Sequence, residues 1–175
     1  MVSSVSGLIS REYDMKLTRS TVITAVAIIV IVAAIPSAVR EIMETGHIYL
    51  FSRQFLQDLP KRLTGPGRFR FILQPLIAIL LGIRGGRADA KAGRPPYVIG
   101  VLFDFQHRKE LLRSGLESVR DLVAMGIILD AISQLLIYRQ VHPGAALVVG
   151  PVLICTPYAL ARAVTTRLAR RFSKA

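Results

Sequence analysis

LVAMGIILDAISQLLIY, residues 122–138, is followed by the turn RQVHPG, residues 139–144, and then by AALVVGPVLICTPYALARAV, residues 145–164. Each apolar run has roughly the length of a helix that crosses a hydrocarbon core about 30 Å thick. Joined by so short a turn, they read as a transmembrane helical hairpin. In the middle of the first run stands one carboxylate, Asp130. An ionisable group at bilayer depth costs about 3 kcal/mol or more, so it needs a partner or a function.

The rest of the 175-residue chain agrees with a membrane setting. Hydrophobic residues make up 52% and the mean hydropathy is +0.48. Charged residues are 19%, below the roughly 25% of an ordinary soluble domain, and they cluster between the apolar runs. The formal charge of +12 points to anionic lipid headgroups as a partner, since each Lys or Arg near such a surface contributes about 1 kcal/mol. No nucleic-acid module accompanies the basic residues, so nucleic acid is not an expected partner.

Working outward, residues 21–39 form another Ile-, Val- and Ala-rich run with Pro36 near its exit. At about 19 residues it is long for a signal sequence and reads as a retained anchor. The in-frame Met15 and Met43 leave the start open, and a start at Met43 would remove this helix. Residues 1–19 are polar and read as a frayed cytoplasmic end. Ile48, Phe51, Phe55 and Leu59 recur at helical spacing beside basic residues, predicting a short amphipathic helix lying in the headgroup plane or packed on the protein. Pro60 and then Gly65-Pro66-Gly67 are expected to end it.

Residues 71–83 are apolar for only about 13 positions, some 20 Å of helix, and contain Gln74-Pro75. They read as a short, kinked span, with a re-entrant segment as the alternative. Arg84, Arg87, Lys91 and Arg94 then read as a basic loop that faces headgroups, with a helical continuation at its start as the alternative. Residues 106–121 are amphipathic, and Ser114 and Glu117 fit either a capping box or a helix interior. The expected fold is therefore all-α: a polytopic helical membrane protein of about four transmembrane helices, with short basic amphipathic helices at the interface. One domain covers 1–175: a tail and anchor (1–42), a middle region (43–121) and the hairpin with its basic tail (122–175).

Basic residues flank both ends of the hairpin, among them Arg108, Lys109, Arg113 and Arg120 before it and Arg162, Arg167, Arg170, Arg171 and Lys174 after it. The turn carries only Arg139. The positive-inside rule places both flanks, and the C-terminus, in the cytoplasm of a bacterial-type inner membrane. Four spans then put residues 40–70, with six basic residues, outside; three spans keep that region inside but move the N-terminus out. Four spans is the preferred reading.

Gly126, Asp130, Gln134 and Tyr138 recur every four residues, with Ser133 adjacent, and make one polar stripe. Thr156 and Tyr158 on the last helix are the expected hydrogen-bond partners, and Arg162 is expected to snorkel to the interface. Such a stripe serves as interhelical glue or, less economically, as an intramembrane proton or cation site. Catalytic patterns are absent: no P-loop, no paired-His zinc motif and no nucleophile elbow. Asp89 and Asp104 alone are weak metal ligands, and single Cys155 excludes an intrachain disulfide. No cofactor or metal is expected. The functional expectation is a non-enzymatic accessory or scaffold subunit acting through helix–helix assembly, with itself or a partner membrane protein. An oligomeric transporter or channel using Asp130 is the alternative.

Overall fold

Residues 19–172 are described by a computed structural model, so the readings of the N-terminal tail and of Lys174 lie outside the described residues. The first apolar run, extended at both ends, forms α1 (Arg19–Thr45) and continues through Pro36. Gly46 stops it with φ +70°, a left-handed conformation that glycine adopts without a Cβ penalty. A 3₁₀ turn, Tyr49–Phe51, leads to α2 (Arg53–Thr64), whose N-terminus is capped by the Ser52 hydroxyl accepting from Phe55 N. Pro60 does not end α2 as expected; the helix runs on to Thr64 and the glycine turn stops it.

The short apolar run is part of a full-length helix, α3 (Arg70–Lys91). Its 22 residues span roughly 33 Å, because the helical continuation allowed for at the start of the basic loop runs through residues 84–91. The next pieces are α4 (Tyr97–Phe103) and α5 (Arg108–Tyr138). In α5 the amphipathic segment and the first hairpin run form one 31-residue helix, and Ser114 and Glu117 lie in its interior. Arg139 turns the chain at φ 59°, and α6 (Pro143–Phe172) begins on a proline, whose missing N–H costs nothing at that position.

Among the described residues the protein is all-helical, and α1, α3, α5 and α6 are each long and apolar enough to cross a membrane. It is a helical membrane protein. The most extensive packing is of α3 on α6, followed by α5 on α6 and α1 on α5; α4 is wedged against α5 and α6. Large apolar side chains point outward all along the spans, as Ile29 (65% exposed), Ile72 (72%) and Leu136 (58%) illustrate. Water would penalise so continuous an apolar exterior. The interior holds a small apolar cluster of Ala78, Val119, Ile154 and Tyr158, and around it lie buried charges.

Helix α2 also buries charge. Its buried residues are Asp58 and Arg62, whereas Leu56 and Leu63 are exposed. Of the predicted apolar positions, Ile48 and Phe51 are exposed, while Phe55 and Leu59 are half-buried on the same face of α2 as Asp58 and Arg62.

Candidate functional site

Asp130 is completely buried on α5, eight residues before that helix ends. Arg62 Nη1 donates to both carboxylate oxygens, at 3.2 Å each. Arg70, the first residue of α3, donates to Oδ1, and Gln134 Nε2 donates to Oδ2 at 2.5 Å. Arg62 and Arg70 are themselves buried. The carboxylate thus binds α2 and α3 to the hairpin, and its electrostatic partner comes from inside the chain.

A second layer surrounds this centre. Arg62 Nη2 donates to the Tyr49 hydroxyl at 3.4 Å, and that hydroxyl donates to Asp58 Oδ2 at 2.8 Å. Burial pushes the Tyr49 phenol up to about 12, so it keeps the proton it gives to Asp58. Lys61 meets the other Asp58 oxygen, and the Tyr138 hydroxyl donates to Asp58 O at 3.1 Å. His142 in the hairpin turn stacks on Tyr49 with ring centroids 3.7 Å apart. Its backbone N–H donates to Gln134 Oε1, and its Nε2 lies 3.2 Å from Glu41 of α1. Burial lowers the His142 pKa, while the Glu41 carboxylate opposes that effect.

The polar stripe therefore gathers as one face: Asp130, Gln134 and Tyr138 all make bonds in this network. Ser133 is buried where Gly67 passes close by, and Gly126 lies against Ile154 and the Gly150 backbone, the close approach within the hairpin. Thr156 and Tyr158 do not meet Asp130. Thr156 is exposed, and the Tyr158 hydroxyl accepts from Arg162 Nη1 at 2.7 Å. The geometric reason is that α2 and α3 enter from the turn end of the hairpin and deliver guanidiniums to the carboxylate.

Arg162 does not snorkel. It is buried and makes a bidentate pair with fully buried Asp89, Nε to Oδ2 at 2.6 Å and Nη2 to Oδ1 at 2.9 Å. Ser114 Oγ accepts a further bond, and the Tyr97 ring lies 4.5 Å from the guanidinium carbon. Gly85 leaves the space that the Arg162 side chain occupies. This second network sits at the opposite end of the bundle, toward the C-termini of α3 and α6. Of the basic loop residues, Arg94 turns inward toward Asp89 and Glu110, while Arg84, Arg87 and Lys91 remain exposed on α3. Asp104 pairs with His107, whose hydrogen bonds hold its carboxyl below the usual range. Among the described residues no cluster of His, Cys, Asp or Glu could hold a metal ion.

Sequence reasoning missed Arg62, Arg70, Asp58 and His142 as members of the first network. The available signal was an unpaired intramembrane carboxylate with an excess of arginines just outside the next span. No protein family, characterised protein or solved structure matched the chain.

Proposed function

We propose that the chain is a small, non-enzymatic, multi-pass membrane subunit that works by lateral helix assembly, as an accessory or scaffold component of a complex. The observation that carries this reading is an apolar groove of about 560 Å³ between α1 and the hairpin. Ala27, Ile28 and Ile31 line one wall, Val123 and Ile127 the other, with Cys155 on α6. Inside hydrocarbon, helices associate by close packing against small side chains, and such a groove supplies a place for a helix of a second copy or another subunit. The basic ends hold anionic headgroups in a bacterial-type inner membrane, with the C-terminus cytoplasmic.

Transport through Asp130 has less support. Its charge is answered by Arg62 and Arg70, so the unpaired carboxylate that motivated that reading has found its partners within the chain.

The sole cysteine provides the test. A benzophenone maleimide attached to Cys155 in native membranes should capture a helix in the groove and give a discrete larger species. Ile28→Trp, which fills the groove from an exposed position, should reduce capture several-fold without lowering the melting temperature. A monomer in native-lipid particles, with no captured polypeptide, overturns the reading.

A further inference from the structure

The C-terminal ends of α3 and α6 meet around a cleft of about 700 Å³. Arg87 and Lys91 contribute from α3, Arg170 and Arg171 from α6, and no carboxylate lines it. Among the described residues none of these four cations is in an ion pair, because the nearby acids are already committed: Asp89 to Arg162 and Arg94, Glu110 to Arg94. Arg170 donates to the Arg94 carbonyl, which ties α6 to the turn that closes the cleft. Part of this basic character suits two helix C-termini, whose last carbonyls favour cations. Four side chains converging from two helices, eighty residues apart in sequence, exceed what that requires.

Next to the cleft is a second hollow, on the flank of α3, lined by Leu80, Ile83, Arg84, Arg87, Ala88 and Lys91. Arg87 and Lys91 belong to both. One path therefore leads from a cationic chamber, past two shared cations, onto the apolar flank of a spanning helix. We propose that this is a binding site for one anionic phospholipid, its phosphate held by Arg87, Lys91 and Arg171 and its acyl chain lying along Leu80 and Ile83. Guanidiniums suit a phosphate because they offer paired donors in a fixed fork. The apolar extension selects a lipid over free phosphate. The inference rests on the lipid contact proposed above and narrows it from a general attraction to one site, with Arg170 and Arg171 included and Arg94 left out.

The experiment uses the full chain in neutral detergent, with phosphatidylglycerol or inorganic phosphate as the probe, and native mass spectrometry as the readout. Wild type should retain one phosphatidylglycerol at concentrations where further adducts are absent. Arg87→Gln with Arg171→Gln, both at exposed positions, should weaken that first adduct about tenfold. Arg108→Gln with Lys109→Gln removes the same charge at the same end of the bundle, outside the cleft, and should leave it unchanged. Equal weakening by both pairs would overturn the site while leaving general headgroup attraction intact. Binding of inorganic phosphate as tight as that of the lipid would overturn the lipid assignment. Melting temperatures of both variants must match wild type; if the cleft variant alone melts early, Lys91→Gln replaces it, with loss of the first adduct again expected and its retention overturning the site.

Discussion

Asp130 shows what a single residue in this sequence can and cannot disclose. Its position, and the alignment with Gly126, Gln134 and Tyr138, follow from helical spacing alone, which is a local property. Its partners lie 60 and 68 residues upstream, and no periodicity connects them to it. A hydrogen-bonding role alone predicts that Asp130→Asn is tolerated while Asp130→Leu is not. The structure predicts otherwise: either substitution leaves two buried guanidiniums without a counter-charge. Breaking a buried pair in this way costs about 3–5 kcal/mol, whereas removing all the charges together is much closer to neutral. Thermal unfolding in detergent should therefore show a large drop for Asp130→Asn and a smaller one for Asp130→Leu combined with Arg62→Met and Arg70→Met. An Asn variant that melts with wild type would mean that Asp130 is not the counter-ion of both arginines.

At the scale of the element, α3 is the instructive case. Ala78, Gly82 and Gly86 stand four residues apart, so they make one small-residue seam down the helix. That spacing was legible, yet Arg84-Gly85-Gly86-Arg87 also has the composition of a loop, and the loop reading hid it. Packing decides between them. A Cβ at Gly82 would come within 2.6 Å of the Tyr158 carbonyl, and one at Gly86 within 2.5 Å of the Arg162 carbonyl. Both obstacles are backbone, so no side chain can swing aside; α6 itself would have to move, carrying Arg162 away from Asp89. Gly86→Ala should therefore cost about 1–3 kcal/mol, the usual range for overpacking. Gly144→Ala, where nothing lies within 4 Å, should melt like wild type. Equal melting temperatures for the two variants would show that α3 and α6 are not in this close contact. Helix α2 teaches a related lesson. Its apolar spacing marks the inward face through half-buried Phe55 and Leu59. The deepest positions on that face are the charged Asp58 and Arg62, which the spacing of apolar residues does not single out.

For the molecule as a whole, the two charged networks mark its two ends, and they bear on a topology that charge counting along the sequence left divided. By sequence count alone, four spans place six basic residues, between 40 and 70, on the outer side. The fold pairs four of them: Arg40 with Glu44, Lys61 with Asp58, and Arg62 and Arg70 with Asp130. The described cations left without an ion pair at that end are Arg53, Arg68 and Arg139. At the other end Arg19, Arg84, Arg87, Lys91, Arg108, Lys109, Arg167, Arg170 and Arg171 are in no ion pair among the described residues. An anionic cytoplasmic surface favours the more basic end, so the imbalance of unpaired charge in the folded protein supports the proposed orientation with that end inside. That pairing could not be read from the sequence, because it depends on where α2 and α3 meet the hairpin. In a Cys155→Ser background, Gln57→Cys and Ala92→Cys place single exposed thiols at opposite ends. A membrane-impermeant maleimide should label Gln57→Cys on intact cells and Ala92→Cys only after permeabilisation. The reverse pattern would invert the molecule, and labelling of both on intact cells would mean that α3 does not cross, since it is the span that separates these two positions.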